Sequence, residues 1–374
     1  MVAHGVSGGK TAEIHKPRQG RQNPVEPIIL SPLRGSSLQR SQPTARALVY
    51  HLPLLHSYLL PFSLMCVPIE MDCCNAFFLF QIPACLHLRA VQPLSTEEIR
   101  HAVQLALAED IGDGDVTTLA IVPENAVSVA AMRARDSLVV AGLAFAETAF
   151  RELSTEVKIE ALSKDGQRVG DGETLLKISG PSRPMLSAER VALNFVQRLS
   201  GIATLTSQFV DAVKGTHTQI LDTRKTTPGW RRFEKYAVAC GGGRNHRIGL
   251  YDLVLIKDNH LAALRDEKPN AIGAAIARAR DKFPQLKIEV EADTLEQVEQ
   301  AAEAGADFIL LDNMNPIQLR LAVQKVRGRA QTEASGGVNL GSVRTIADTG
   351  VDFISVGALT HSARAVDIGL DFEE

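Results

Sequence analysis

Positively charged side chains follow short apolar runs in the second half of the chain. Arg224 and Lys225 come shortly after the run QIL, and Lys257 ends the run LVLIK. His246 and Arg247 lie in the segment GGGRNHR between these two runs. Cations gathered in one place repel each other unless an anion lies among them, and arginine offers a planar fork that matches carboxylate or phosphate. The pattern predicts a pocket for a small polyanionic substrate.

Acidic residues stand at the ends of two further apolar runs. Glu291 follows the run IEV, and Asp312 ends the run FILLD. Carboxylates beside bound phosphates commonly hold Mg²⁺ or sugar hydroxyls, and they can also stabilise a positive, oxocarbenium-like centre. We therefore expect Glu291 and Asp312 to face the same pocket as the cations.

Small residues end the last two runs. Ser335, Gly336 and Gly337 follow one run, and Gly357 follows the other. Glycine has no side chain to keep a ligand away from backbone N–H groups, and loops after the last strands of an α/β barrel often hold phosphate. These positions predict a phosphate site, with a helix expected to start near Asn339.

The elements that must position these residues alternate in type after about residue 205. Apolar runs alternate with amphipathic helices such as TLEQVEQAAEAG, which has a threonine cap, and NPIQLRLAVQKVRG, which has an asparagine cap followed by proline. This alternation predicts a parallel sheet. Short links favour a barrel of the TIM type, although a doubly wound sheet stays open as an alternative. Residues 94–205 read as a smaller α+β domain that begins with a helix capped by Ser95 or Thr96.

Composition limits what the rest of the chain can do. The protein has 374 residues, 45% of them hydrophobic, and a net charge of −3. This balance does not suggest nucleic-acid binding or a membrane surface, and the cysteines show no CxxC pair. Residues 1–93 read as a disordered extension without a membrane span, although their basic, acid-poor start also weakly resembles a transit peptide. We expect a catalytic domain over residues 206–361, a C-terminal segment 362–374 that packs on the N-terminal domain, and a cytoplasmic location.

Some charges have simpler interpretations. We expect Arg231, Arg232 and Lys235 to form a solvated helix face, because charge runs are commonly exposed. Lys225 could form an ordinary salt bridge with Glu234. Lys257 could instead be the Schiff-base lysine of an aldolase, which would need an apolar pocket or close cations to become nucleophilic.

Sequence motifs in order across residues 94–374 resemble those of the quinolinate phosphoribosyltransferase family, also called carboxylating nicotinate-nucleotide pyrophosphorylase. The motifs are LAEDIGDGDVTT, ERVALNFVQRLSGIAT, DTRKTTPGWR, GGGRNHRIGLYD, IKDNH, EVEADT, LLDNM and EASGGV. The resemblance implies an incomplete TIM-like α/β barrel with a smaller N-terminal α+β sandwich domain. It also implies transfer of phosphoribosyl from phosphoribosyl pyrophosphate to quinolinate with loss of CO₂, in NAD biosynthesis with Mg²⁺ as cofactor.

The same resemblance implies a role for each candidate residue. It implies a homodimer with shared active sites, or a higher oligomer, in which Arg190 reaches the site of the other subunit. Lys225, Lys257, Glu291 and Asp312 are the expected catalytic residues. The carboxylates of quinolinate would meet Arg190, Arg224, His246, Arg247 and Lys257. Lys225 would meet the pyrophosphate, with help from Lys257. The 5′-phosphate would meet Ser335, Gly336, Gly337, Gly357 and His361. Glu291 and Asp312 would bind ribose hydroxyls or the Mg²⁺ held by the substrate.

Other activities stay open on sequence grounds. A related phosphoribosyltransferase acting on another pyridine carboxylate, such as nicotinate, would use much of the same pocket. A Schiff-base aldolase would need only Lys257, and a non-catalytic binding protein on the same fold would not need both Glu291 and Asp312. The acidic pair followed by TGGT, typical of nucleobase-salvage phosphoribosyltransferases, is absent from the sequence.

Overall fold

A computed structural model describes residues 93–373 of the chain. The predicted extension falls almost wholly outside these residues. Within the described part, no helix has the length and apolar character that crossing a membrane would require. The prediction about the extension therefore stays a prediction.

The first part of the described chain mixes helices with short antiparallel strands. Its elements are α1 (Thr96–Ile111), α2 (Val116–Ile121), β1 (Val127–Ala134), β2 (Leu138–Val139), α3 (Leu143–Leu153), β3 (Lys158–Ala161), β4 (Arg168–Val169) and β5 (Thr174–Pro181). The cap of α1 is Ser95, which forms a capping box with Glu98. Strands β3, β5 and β1 lie side by side in one sheet.

A long helix, α4 (Ser182–Ala212), connects this part to the second sheet. The boundary predicted at residue 205 falls inside it, because its buried face continues from Leu199 through to Phe209. Gly201 on this helix lies so close to the carbonyl oxygen of Arg364 that a Cβ would overlap it. The C-terminal segment therefore runs along the helix.

The second part alternates strands and helices, as the sequence predicts. Its elements are β6 (Gln219–Leu221), α5 (Arg231–Cys240), β7 (Val254–Ile256), α6 (Asp258–Ala262), α7 (Ala271–Lys282), β8 (Ile288–Ala292), α8 (Leu295–Glu303), β9 (Phe308–Asp312), α9 (Pro316–Val326), β10 (Gln331–Ser335), α10 (Val343–Ala347), β11 (Phe353–Ser355), α11 (Ala358–His361) and β12 (Ile368–Phe372). Thr294 caps α8 and Asn315 caps α9, each in a capping box. These two predicted caps are confirmed.

The six-stranded parallel sheet has the strand order of a barrel. Its order is β6, β11, β10, β9, β8, β7, so the strands follow one another in sequence and the first lies beside the last. A doubly wound sheet would instead reverse direction at a switch point. Strands β6 and β7 are not paired with each other. The prediction of an incomplete α/β barrel is therefore confirmed.

The last strand leaves the barrel and joins the first sheet. Strand β12 pairs antiparallel with β1, with Ala131 opposite Asp371. The guanidinium of Arg135 forms an ion pair with Asp371 at the same edge. The chain end thus ties the smaller sheet to the barrel that precedes it.

Candidate active site

A cavity of about 960 Å³ opens at the carboxyl ends of the barrel strands. Most of the predicted site residues line it, which places residues distant in sequence in one pocket. The predicted residues in its wall are Arg224, Lys225, His246, Arg247, Lys257, Glu291, Asp312, Ser335, Gly336, Gly337, Gly357 and His361. A cavity of this size at this end of an α/β barrel is where substrates bind in such folds.

Arg190 is the predicted residue that the structure does not bring to this wall. It lies in the N-terminal third of α4 and is exposed. It is not among the residues that line the cavity. Within a single chain, Arg190 therefore does not contribute to the pocket.

Arg231 adds a cation that the sequence interpretation missed. It was expected on a solvated helix face, but it lines the cavity. Its guanidinium donates to the carbonyl oxygen of Ile248 at 2.9 Å and to Oγ1 of Thr226 at 3.1 Å. These bonds tie the loop that follows β6 to the loop that precedes β7. Arg231 thus adds positive charge and fixes two loops of the pocket.

Lys235 corrects the same expectation more strongly. Its side chain is fully buried and forms an ion pair with the equally buried Asp222. Its Nζ also donates to the carbonyl oxygen of His246 at 3.0 Å. Burial raises the pKa of Asp222 and lowers that of Lys235, and their mutual attraction opposes both shifts. The interpretation as a solvated face is wrong for Lys235, because the helix turns this position toward the strand end.

Asp222 uses the rest of its carboxylate to hold the next loop. It accepts from the backbone N–H of His246 at 2.9 Å and from Nδ2 of Asn245 at 2.5 Å. The ion pair therefore fixes the backbone on which His246 and Arg247 stand. Its role is to position the cationic wall of the pocket.

The proposed pairing of Lys225 with Glu234 does not occur. Glu234 is fully buried and accepts from Arg198 at 2.9 Å and from Oγ1 of Thr227 at 2.8 Å. Lys225 is exposed in the cavity wall instead. It is therefore placed to meet a ligand.

His246 is buried at the base of the cavity with both ring nitrogens engaged. Nδ1 accepts from the backbone N–H of Arg247 at 2.7 Å. Nε2 lies 2.9 Å from Glu289 and 3.5 Å from Glu333. Because Nδ1 accepts a hydrogen bond, the ring proton lies on Nε2 and points to the carboxylates. In this arrangement His246 can touch a substrate through its ring carbons.

Glu289 and Glu333 form an acidic pair under the pocket, and only Glu333 lines the cavity. Both are almost fully buried, and Oε1 of each has no hydrogen-bond partner among the described residues. Burial and the charge of Glu289 raise the pKa of Glu333 to about 8. Burial lowers the pKa of His246, but the charges of Glu333 and Glu289 outweigh it and raise that pKa to about 9. The cluster therefore retains an extra proton at neutral pH.

The location of that proton follows from geometry. A second ring proton on His246 would have to occupy Nδ1, which the N–H of Arg247 already faces. We therefore keep the His246 ring neutral and place the retained proton on Glu333. Ligand atoms of His246, Glu289 and Glu333 lie within 4.8 Å of one another, a spacing that suits one cation. Nε2 of His246, however, carries the ring proton and donates it to Glu289, so this nitrogen has no lone pair to offer a metal.

Glu291 and Asp312 face the cavity from neighbouring strands. Glu291 forms an ion pair with Lys257, whose side chain is 42% exposed. Asp312 accepts from Nδ2 of Asn313 at 2.6 Å. Carboxylate oxygens are the ligands that Mg²⁺ prefers. Asp312 and the remaining oxygen of Glu291 therefore fit a cation that arrives with a phosphorylated substrate.

The glycine turn after β10 has the backbone geometry that needs glycine. Gly336 and Gly337 adopt φ values of 100° and 59°. A Cβ on Gly336 would lie 3.1 Å from Cα of Asn313. Side chains are therefore excluded here, and the backbone of this turn can approach a phosphate. The expected helix begins at Val343 and not near Asn339, because residues before it form a separate turn.

Gly357 lies between two side chains at the other end of this wall. A Cβ at this position would lie 3.1 Å from Cδ of Lys225 and 3.2 Å from Nε2 of His361. Any larger residue would push these groups apart. Lys225 and His361 thus flank the same backbone segment beside the glycine turn.

Comparisons with known proteins agree on one family. Residues 202–371 match the family model "Quinolinate phosphoribosyl transferase, C-terminal domain" and residues 115–200 match the corresponding N-terminal domain. The chain is 42% identical to "Nicotinate-nucleotide pyrophosphorylase [carboxylating], chloroplastic" of Arabidopsis thaliana over 74% of this chain and 84% of that protein. It is 44% identical to the carboxylating enzyme of Mycobacterium leprae over 73% of this chain and 96% of that protein.

Solved structures with the same fold carry matching descriptions. The nicotinate-nucleotide pyrophosphorylase from Francisella tularensis superposes with a TM-score of 0.72 at 38% identity, covering 76% of this chain and 99% of that one. The pyrophosphorylase from Ehrlichia chaffeensis gives a TM-score of 0.70 at 43% identity, covering 75% of this chain and all of that one (100%). The architecture described above is thus shared across these structures.

Proposed function

Because this chain belongs to the quinolinate phosphoribosyltransferase family, we propose that it converts quinolinate and phosphoribosyl pyrophosphate into nicotinate mononucleotide, pyrophosphate and CO₂. The reaction is a step of NAD biosynthesis. One observation carries the proposal from the structure itself. A cationic wall, a pair of carboxylates and a glycine turn meet in one cavity that can hold both anionic substrates.

Quinolinate is a dianion, and the arginines of the cavity suit its carboxylates. Burial lowers the pKa of Arg247, and the charge of the nearby Arg224 lowers it further. An anion between them relieves this repulsion and gains charge-assisted hydrogen bonds. We assign quinolinate to this end of the cavity, above His246.

Phosphoribosyl pyrophosphate fits the other end of the same cavity. Lys225 and Lys257 meet its pyrophosphate as point charges. Backbone groups of the glycine turn, with Ser335, Gly357 and His361, hold its 5′-phosphate. Glu291 and Asp312 then face the ribose between the two phosphorylated ends.

The reaction follows from this placement. The ring nitrogen of quinolinate attacks C1 of the ribose while the bond from C1 to pyrophosphate breaks. Positive charge that develops on C1 is stabilised by Glu291 and Asp312, and Lys225 and Lys257 stabilise the departing pyrophosphate. The product ring nitrogen is positive, so its charge stabilises the electron pair that stays on C2 when CO₂ departs.

We propose Mg²⁺ as the cofactor, bound with phosphoribosyl pyrophosphate. The ion would neutralise pyrophosphate charge during the transfer. The free carboxylate oxygens of Asp312 and Glu291 are the groups on this chain that suit it. Lys257 pairs with Oε2 of Glu291, so Oε1 is the oxygen left for the ion.

The exposed position of Arg190 supports a shared site. We propose a homodimer in which Arg190 of the partner subunit completes the quinolinate pocket. This assigns a role to a cation that lies away from the cavity of its own chain.

The cytoplasm is the proposed location. The Arabidopsis relative is named as chloroplastic, so the location needs a direct test. Import of a fluorescent fusion of the full chain into an organelle would overturn the cytoplasmic assignment.

The competing activities differ in what they require. An aldolase lysine needs apolar surroundings or close cations, whereas Lys257 is partly exposed and ion-paired to a carboxylate. A nicotinate-specific transferase would not need paired arginines for two carboxylates. Chromatography of the products from quinolinate and from nicotinate tests the assignment. With phosphoribosyl pyrophosphate present, nicotinate mononucleotide should form from quinolinate and not from nicotinate. Its formation from nicotinate, or borohydride trapping at Lys257, would contradict the assignment.

A further inference from the structure

The acidic pair of Glu289 and Glu333 has no role in binding two anionic substrates. Their exposures are 1% and 2%, and each has one oxygen without a hydrogen-bond partner among the described groups. Burying polar atoms without hydrogen-bond partners is unfavourable, so their presence here calls for an explanation. Negative charge directly below a site for a dianion would also weaken substrate binding. A neutral carboxylic acid on one of them removes this conflict.

The described contacts place the proton on Glu333. Glu333 on β10 is faced by Glu289 on β8, by His246 on the loop after α5 and by Ser355 on β11. His246 supplies a single N–H from Nε2, which it directs to Glu289 at 2.9 Å. Glu289 is thereby stabilised as the anion of the pair. The raised pKa of Glu333 agrees with this distribution.

Glu333 is also the member of the pair that reaches the cavity wall. The cluster lies at the end where Arg247 stands. Burial and the charge of Arg224 lower the pKa of Arg247, and the nearby charge of Glu289 opposes this shift. This is the end assigned above to the carboxylates of quinolinate. The acid therefore lies at the end of the cavity assigned to the carboxylates.

Loss of CO₂ creates a demand for a proton at the same end. When the bond from C2 to its carboxylate breaks, the electron pair stays on C2 beside the positive ring nitrogen. That carbanion must take up a proton before it recombines with CO₂. A positioned acid in a pocket shielded from water meets this demand more reliably than solvent.

We propose that Glu333 is the catalytic acid that protonates C2, with His246 and Glu289 as positioning residues that keep the proton on Glu333. This inference rests on the proposed function. The C2–CO₂ bond breaks, a C2–H bond forms with the carboxyl proton, and Glu333 is left as a carboxylate. Solvent returns the proton before the next turnover.

A single-turnover experiment separates the two chemical steps. The full-length enzyme, in excess over quinolinate labelled at the C2 carboxyl, is mixed with phosphoribosyl pyrophosphate and Mg²⁺, and pyrophosphate and labelled CO₂ are timed. Glu333→Gln should form pyrophosphate within about tenfold of the wild-type rate but release CO₂ about 100-fold more slowly. Quinolinate mononucleotide should accumulate. Glu333→Asp, which keeps an acid, should recover part of the CO₂ rate.

Matched controls distinguish chemistry from structure. Glu299→Gln makes the same change on the partly exposed helix α8, in an ion pair with Lys325, and should leave both steps unchanged. Glu289→Gln removes the charge that raises the pKa of Glu333. The alkaline limit of CO₂ release should therefore move to lower pH. This second variant tests the proposal even where Glu333→Gln fails to fold.

The outcomes are distinct. Glu333 is not the acid if two results coincide. The first is that Glu333→Gln slows pyrophosphate and CO₂ formation equally, or slows neither of them. The second is that Glu289→Gln leaves the alkaline limit of CO₂ release in place. If the wild-type protein forms neither product, the proposed function itself fails. Circular dichroism and quinolinate binding confirm that each variant is folded.

Discussion

Replacing Lys235 with methionine removes one half of a fully buried ion pair. Lys235 and Asp222 both have 0% exposure, and no water can compensate the charge that stays behind. Asp222 retains its hydrogen bonds from Asn245 and from the N–H of His246. Those bonds stabilise the carboxylate but do not neutralise it. Asp222 must then be protonated, or the strand end must open to water.

The size of the effect follows from this uncompensated charge. Removing one partner of a buried pair typically destabilises a protein by about 3–5 kcal/mol. Lys235→Met should therefore lower the free energy of unfolding by about that amount. The double variant Lys235→Met with Asp222→Asn buries no charge and keeps an acceptor for the N–H of His246. It should regain about half of the loss, because the remaining defect is a set of weaker neutral hydrogen bonds.

Urea unfolding followed by circular dichroism measures both changes, and quinolinate titration measures the effect on the pocket. Glu299→Gln is the surface control. The loop that carries His246 and Arg247 loses its anchor, so the Kd for quinolinate should rise along with the loss of stability. A single variant that loses less than about 1 kcal/mol, or a double variant no more stable than the single one, would refute the uncompensated-charge argument.

Further predictions concern the pocket, the turn, the acid pair and the dimer. Arg224→Ala should raise the KM for quinolinate about 10- to 100-fold, as expected for loss of charge-assisted hydrogen bonds, with little change in Tm; an unchanged KM would exclude Arg224 from the pocket. Gly336→Ala should destabilise the turn by more than about 1 kcal/mol and raise the KM for phosphoribosyl pyrophosphate, because its Cβ meets Asn313; steady-state kinetics and urea unfolding check both. In the folded protein Glu333 has a pKa of about 8, above its ordinary value of 4.5. Its contribution to stability is therefore complete below pH 4.5 and is lost as the pH rises from there to about 8. Unfolding from pH 5 to 9 should show this decline in the wild type and less of it in Glu333→Gln; parallel curves would contradict it. At quinolinate concentrations far below the raised KM, where each variant alone is nearly silent, mixing Arg190→Ala with Arg224→Ala should restore about a quarter of wild-type activity, since half of a randomly mixed dimer population has one intact site; no recovery would refute a shared site.

The sequence predicted the barrel and most of its functional wall from simple periodicities. Strand–helix alternation indicated the parallel sheet, and charged residues after apolar runs indicated its functional edge. This worked because the carboxyl ends of parallel strands meet at one edge, so position along each strand was enough to bring Arg224, Lys257, Glu291 and Asp312 together.

Buried charges were the part that local pattern could not supply. Lys235 looks like part of a surface charge run, and only the packing of α5 against the end of β6 shows that it is buried opposite Asp222. Glu289 and Glu333 were missed although a signal was present. Each stands two residues before a predicted site residue on its strand, and alternate residues of a strand share one side of the sheet.

The sequence also could not place Arg190. On its helix it reads as a surface charge, and within one chain the structure leaves it exposed and away from the cavity wall. Its proposed role needs a second subunit, which local pattern does not reveal. The mixing experiment addresses that assembly directly.

Release of CO₂ from carboxyl-labelled quinolinate tests the central claim most directly. The full-length chain is incubated with labelled quinolinate, with phosphoribosyl pyrophosphate and Mg²⁺ added separately and together. We predict that labelled CO₂ appears only when both are present, in step with pyrophosphate and nicotinate mononucleotide. Folded protein that releases no CO₂ under these conditions, or that releases it without phosphoribosyl pyrophosphate, would contradict the account.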